Sequence, residues 1–556
     1  MTLVRPTIAM LTYLTALGWA FTARATEPVA ANTNQSSTVE PAQPIEAAPV
    51  TPTSPLQNMI QQRLSDPAGK TIEKQDRAAL LAYFAERAKP MLWTTSSGLS
   101  ARGIAAIDEL QRAADWGLSP ASFEVPDAKE AFATVEQQAA AETRLSIAVL
   151  KYARFARGGR IDVSQLGRNF DQKPPLLDPK DTLQILAAAP DTAAALRGFH
   201  PKHPQFEKLR QALLAARSAP STPVQEAAPT EPTGKKSKGL RTAKAPSSGD
   251  NTQRILVNME RWRWLPEDLG TFHVWDNIPE YRMRVMKEGK VAHTETIIVG
   301  KPSTPTPLFS ADMKYVIFHP TWGVPDGIKM NEIAPVLRRS SSSSFWGGDS
   351  DPAILRRHNL TVSYNGRPVN PSSVNWETAD IRSFQFTQPP SNSNVLGVVK
   401  FRFPNKHDVY MHDTPERSLF SRAEKAFSHG CMRVQNPRRL AEVLLAEDKG
   451  WSSAQVGNAI AHNATQEVTL NKQIPVHVTY FTALVDDDGQ LKTFSDIYGH
   501  DSRISAALDG KPIRSISPPT DASSKSSREV RRSPGKGYQT ANQGGIAGLF
   551  AGLFGN

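Results

Sequence analysis

N-K-H-D-V-Y-M-H-D-T-P-E-R-S-L-F-S-R-A-E-K-A-F-S-H-G-C-M-R-V-Q-N, residues 405–436, decides how the rest of this chain is read. It holds the only cysteine of the 556 residues, Cys431, and three of the twelve histidines, His407, His412 and His429. The thiolate is the reactive form of cysteine, and a nearby imidazole generates it near neutral pH. Gly430 directly precedes the cysteine, and a glycine there lets backbone N–H groups turn toward a reacting carbonyl. Residue types alone leave a second reading open, because a lone cysteine is often a small buried hydrophobe. Zinc is disfavoured: His429-x-Cys431 is tighter than the usual ligand pairs, and there is no second cysteine. With one cysteine, no disulfide can form within the chain.

Larger patterns favour the nucleophile. His412, fifteen residues, then Ser428-His429-Gly430-Cys431-Met432-Arg433 resembles the signature of the L,D-transpeptidase catalytic domain, the YkuD-type fold. Leu396-Gly397-Val398-Val399-Lys400-Phe401-Arg402-Phe403-Pro404-Asn405 and Tyr410-Met411-His412-Asp413-Thr414-Pro415 are similar to the YcbB-type branch of Gram-negative bacteria. Several motifs recur in order over about 250 residues, which is more specific than a lone His-Gly-Cys.

Outward from this stretch, residues 251–512 read as one β-rich catalytic domain. Thr271 to Asp276, Tyr281 to Met286, Val291 to Val299 and Lys314 to Phe318 are short alternating runs with Gly and Pro punctuation. Asn277 to Tyr281, Gly300 to Pro307 and Ile497 to Asp501 extend the family likeness. His500, within the last of these, reads as structural. Trp322 sits where the resemblance places a substrate-side aromatic segment, and packing is an equal alternative. Residues 330–394, with Arg338, Arg339 and the serines 340–344, read as an insertion. In the resembled branch it caps the active site, where a lid excludes water and gates access. Asp486-Asp487-Asp488-Gly489 is a hairpin turn signal that lacks EF-hand ligand spacing.

Residues 56–214 read as an all-α scaffold. Leu80, Leu81, Tyr83 and Phe84 suit a buried stripe. Ser100 suits the cap of a helix over 101–116, and 127–156 reads as one or two helices. Ala88 to Trp93 and Asp115 to Pro120 resemble the scaffold region of YcbB-type proteins. A small peptidoglycan-binding helical module typical of them is not intact here. The chain as a whole therefore reads as multidomain: an α scaffold, then an α+β YkuD-type β-sandwich with an inserted cap.

The remaining segments have other compositions. Residues 1–25 read as a signal peptide ending at Ala23-Arg24-Ala25, which implies export to the periplasm. The apolar run is short for a membrane span. A lone cysteine in an exported protein is unusual unless kept as a reactive thiol. Residues 26–55, 215–250 and 513–556 read as a disordered tether, a basic linker and a basic tail. The formal charge of +11 comes substantially from such segments. No nucleic-acid-binding motif accompanies it, so anionic wall polymers or membrane surfaces suit it better.

What the resemblance implies is concrete. Cys431 is the nucleophile and His412 the base, with the Asp413 carbonyl orienting it. N–H groups of Gly430 and Cys431 hold the oxyanion, helped by the Tyr410 hydroxyl. Ser428, His429, Arg433 and Trp322 lie on the substrate side, with the holding of the loop by hydrogen bonds as the alternative role of Ser428, His429 and Arg433. The expected substrate is a peptidoglycan tetrapeptide stem, cleaved before its terminal D-Ala. A second stem amine, water or an outer-membrane protein resolves the thioester, and carbapenems acylate Cys431. No metal or organic cofactor is implied.

Overall fold

Hydrophobic periodicity changes from helical to alternating midway along the chain, and the architecture changes with it. The computed structural model describes residues 54–65, 71–86, 89–218, 248–342 and 353–512. The expected signal peptide, nearly all of the tether, most of the linker, the tail and Ser343–Ser344 lie outside them.

The N-terminal part is helical: α1 (Pro55–Ser65), α2 (Thr71–Ala85), α3 (Ala101–Gln111), α4 (Val135–Ala156), α5 (Pro179–Ala188) and α6 (Thr192–Arg197). Thr134 and Gln137 form a reciprocal capping box that starts α4. Its buried face, including Leu145, Val149 and Tyr152, is the centre of an apolar cluster with Leu80, Phe84, Trp93 and Ile107. Glu142 is fully buried on α4 and accepts from the Leu92 N–H at 2.7 Å and the Thr94 hydroxyl at 2.8 Å. That contact fixes the non-helical Pro90–Trp93 break. Ser100 caps α3 through the Gly103 N–H. The helix expected to reach residue 116 ends at Gln111 and continues as a tighter turn over Ala113–Trp116.

Two further helices, α7 (Pro204–Ser218) and α8 (Ser248–Trp262), join this region to the catalytic domain. The start of α8 lies inside the stretch read as linker. Its apolar residues Ile255, Met259 and Trp262 recur one turn apart and bury against Phe206, Leu209 and Leu213 of α7. Residues 163–170 reach further, since Val163, Leu166 and Phe170 enter the catalytic core itself.

Fifteen strands follow among the described residues. In chain order they are β1 (Phe272–Asn277), β2 (Arg282–Lys287), β3 (Lys290–Gly300), β4 (Phe309–Phe318), β5 (Trp322–Gly323), β6 (Thr361–Tyr364), β7 (Arg367–Pro368), β8 (Phe384–Gln388) and β9 (Val399–Arg402). Then come β10 (Met411–His412), β11 (Ala426–Ser428), β12 (Met432–Val434), β13 (Gln466–Thr479), β14 (Ala483–Val485) and β15 (Leu491–Thr493). The main sheet has the order β11-β3-β12-β10-β9-β4-β13-β1-β2, and β2 pairs again with β3. One edge of β3 bonds to β2 and then β11, the other to β12. The β-rich core expected as a sandwich is therefore a closed ring of strands, with β11 alongside. Apolar residues from it, such as Val285, Ile297, Val316, Phe401, Met411, Met432 and Val476, fill one core with Leu440 and Leu444 of the helix Pro437–Lys449. β14 and β15 form the hairpin that Asp486–Gly489 signalled.

Between β4 and β9 the chain makes the cap. Its sheet runs β5-β8-β6-β7. Trp322, Ile333, Leu337, Trp376, Phe386 and Leu396 form its own apolar core.

Candidate active site

Cys431 immediately precedes β12, next to β10. The two strands are parallel, with Met411 opposite Met432 and His412 opposite Arg433. The Met432 N–H donates to the Tyr410 carbonyl at 3.0 Å, so Cys431 is held beside Tyr410. Gly430 has φ +117, a conformation closed to most side chains, and this turns the chain sharply into the cysteine.

The three histidines of the opening stretch have separate partners. His412 is buried, and its Nδ1 lies 2.5 Å from the Asp413 carbonyl oxygen. A carbonyl can only accept, so the proton is on Nδ1 and Nε2 keeps a free lone pair. His407 turns away to Asp171 at 3.1 Å. His429 meets Glu332 of the cap at 2.5 Å, and Lys301 approaches the same ring at 3.5 Å. His500 is buried elsewhere, among Phe170, Tyr480 and Tyr498.

Electrostatics keep the central pair neutral at rest. Burial, with the Arg433 charge beside it, pulls the His412 imidazole down to about 3. Burial pushes the Cys431 thiol up to about 11, opposed by the Tyr410 backbone N–H and by Lys400. The Tyr410 hydroxyl reaches both the sulfur and the Trp322 side chain. A neutral imidazole with a free Nε2, near a neutral thiol, can receive the thiol proton when a substrate arrives.

The remaining predicted residues support the loop. Ser428 Oγ donates to the Cys431 carbonyl at 2.5 Å and accepts from the Gly430 N–H at 3.1 Å. That N–H is thereby occupied in this arrangement. Arg433 is buried and paired with Glu416. Trp322 is 3% exposed, within the cap core that Tyr410 joins and Cys431 packs against. Asp413 uses its carboxylate structurally: it accepts from the Val398 N–H at 2.9 Å and the Thr414 N–H at 2.6 Å, and it pairs with Arg417.

Several contributors carried no signal in the motif. Thr306 Oγ1 donates to the Gly430 carbonyl at 2.8 Å and accepts from the Gly300 N–H at 2.9 Å. The Tyr498 hydroxyl braces the same turn through the Gly300 carbonyl at 2.6 Å. Two phrases of family-like wording, far apart in the chain, thus meet behind the cysteine loop. Lys400 and Glu332 are the other two. A cation within the apolar alternation of β9 was the available hint for Lys400; nothing local marked Glu332.

Comparison with known proteins agrees with this arrangement. Residues 271–459 match the family described as the L,D-transpeptidase catalytic domain, and residues 78–213 match a family described as a scaffold domain. A Haemophilus influenzae protein named "Putative L,D-transpeptidase" is 30% identical over 259 residues, 46% of this chain and 50% of that protein. The chain thus spans about half the length of this curated relative. Among solved structures, Mycobacterium tuberculosis L,D-transpeptidase 1 matches at 15% identity over 38% of this chain and 61% of its own, with a TM-score of 0.15. An L,D-transpeptidase solved in complex with imipenem matches at 16% identity over 38% and 59%, with a TM-score of 0.17. Scores this low carry no weight for the assignment, which rests on the family match: residues 271–459 of this chain are an L,D-transpeptidase catalytic domain.

Proposed function

We propose that this protein is an exported peptidoglycan L,D-transpeptidase of the YcbB type, acting in the periplasm. The observation that carries the proposal is the juxtaposition of Cys431 with β10, where His412 presents a free Nε2 because Asp413 holds its Nδ1. The thiol proton passes to His412 Nε2 and the sulfur attacks the carbonyl of the third-position diamino acid of a tetrapeptide stem. The C–N bond to D-Ala breaks. His412 returns the proton to the departing amine, leaving a thioester on Cys431. The side-chain amine of a second stem then attacks the thioester, giving a 3→3 crosslink and the free thiol. Oxyanion stabilisation is assigned to the Cys431 N–H, the Tyr410 hydroxyl, and the Gly430 N–H once it leaves Ser428. His429 and Trp322 border the donor from the cap side. Arg433, by holding Glu416, fixes the strand that carries the cysteine. A carbapenem would acylate the same sulfur.

The test is mass-resolved muropeptide analysis with the full-length protein, because α7, α8 and residues 163–170 pack into the catalytic domain. Wild type and Cys431→Ala are incubated with disaccharide tetrapeptides. Crosslinked dimers that have lost D-Ala, absent with the mutant, are the expected result. Tripeptide monomers alone would make water or a protein the acceptor. No change with a folded, alkylatable enzyme would overturn the reading.

A further inference from the structure

Lys400 sits within β9, half-buried, and burial holds its ammonium below the usual lysine range. A lysine in that position has a substantial desolvation cost unless its charge is used. Its ammonium rests on the face of the Tyr410 ring, 3.8 Å from the centroid. Among the described residues no carboxylate forms an ion pair with it. The ladder sets Lys400 opposite His412, so both side chains leave the sheet on one face. Tyr410, two residues before His412, shares that face, with its ring 5.7 Å from the imidazole.

The charged surroundings come from four sides. On β9 itself, Arg402 is turned to the Tyr315 ring. The turn before β10 brings Asp408, whose carbonyl lies 3.8 Å from the Cys431 sulfur. β10 brings Tyr410 and His412, and β12 with its preceding loop brings Arg433 and Cys431. On the far side, β4 places the uncharged Ile317 opposite Lys400.

We propose that Lys400 is the electrostatic positioning residue of the site: seated on Tyr410, its ammonium stabilises the Cys431 thiolate as the thiol proton moves to His412. The S–H bond breaks, the electron pair stays on sulfur, the proton goes to Nε2, and Lys400 keeps its own protons. This deepens the reading of Cys431 as nucleophile and rests on it. The same positive charge also disfavours a proton on His412. Removing it should therefore move both groups upward together. A merely structural loss, which opens the site, would move them toward their ordinary values: the imidazole up but the thiol down.

That difference decides the test. The single cysteine makes labelling unambiguous, and Cys431→Ala provides the blank. Alkylation of the full-length protein by iodoacetamide is followed by intact mass from pH 6 to 11. In Lys400→Met the rising limb of the pH–rate curve is expected to shift up by about one unit, so the rate at pH 8 falls about tenfold. Lys400→Arg is expected to stay close to wild type. An unchanged or downward-shifted limb in Lys400→Met overturns the proposal. Should Lys400→Met fail to fold by circular dichroism, Lys400→Gln is read by the same criterion. No substrate enters this assay. A shifted limb with no muropeptide products would refute the transpeptidase reading and leave the role of Lys400 standing.

Discussion

The two sides of the active site are built differently. On the strand side, Lys400, Tyr410, His412 and Cys431 hang from β9, β10 and β12, whose backbones are bonded to neighbours in a closed ring. On the cap side, the strands belong to a separate sheet of four, and the side chain that reaches the cysteine loop, Glu332, comes from a π-helical turn over Lys329–Ile333. In the first construction β9, β10 and β12 each bond to a neighbour on both edges. The second rests on an apolar core of its own and on the contact of Glu332 with His429. The proposed chemistry thus sits on the main sheet and the proposed gating on a separately packed insertion.

The largest effect should come from the strand side. His412→Gln removes the proposed base and is expected to lower kcat/KM by about 10²–10⁴-fold, measured by muropeptide turnover. Wild type should also keep its activity well below the ordinary imidazole range. Its acid limb follows the folded-state value of about 3, not the usual 6.5. The linkage has a matching sign. His412 is depressed on folding, so its contribution to stability is complete above about 6.5 and is lost as pH falls toward 3. A rate that halves between pH 7 and 6 would contradict this.

A smaller effect tests the support beneath His412. Gly397 has φ +57, and a Cβ there would lie 2.3 Å from the Asp413 carboxylate. Gly397→Ala therefore strains the backbone and displaces the residue whose carbonyl orients His412. A loss of about 1–3 kcal/mol is expected in chemical denaturation, with a fall in kcat and little change in KM. A variant as stable and active as wild type would show that Asp413 is not fixed from this side.

The same contrast explains what was legible in the sequence. Cys431, His412, Tyr410 and Asp413 lie within one short stretch, because two adjacent parallel strands and the connection between them carry them all. Helix α3 was legible from its Ser100 cap and 3.6-residue periodicity, whereas α4, read as one or two helices over 127–156, begins at Val135 behind a Thr134 cap. Helix α8 was not legible, because its apolar residues are interrupted by Asn258, Glu260 and Arg261, which are buried rather than solvent-facing. Arg263 pairs with the buried Glu260 and bonds the Trp116 carbonyl, contacts that no local pattern announces. Lys400 and Glu332 reach the site only through sheet register and cap placement. Ring closure through β2 and β3 was likewise a matter of long-range pairing, which alternation does not specify.

The smallest expected effect bears on the cap. Glu332 is 7% exposed, holds His429 with one carboxylate oxygen, and leaves the other buried without a partner. A half-satisfied buried carboxylate is a contact of limited strength, suited to being broken when a stem peptide enters. Glu332→Gln replaces the carboxylate with a neutral acceptor and should weaken closure by about 1 kcal/mol, roughly a fivefold change in the open population. Labelling of Cys431 by a bulky fluorescent maleimide should rise by that factor, while the small reagent iodoacetamide changes little. Equal acceleration of both reagents would mean that the mutation altered the thiol itself. No acceleration of either would mean that the apolar core around Trp322 and Leu337 holds the cap, and that the Glu332–His429 pair follows its position without setting it.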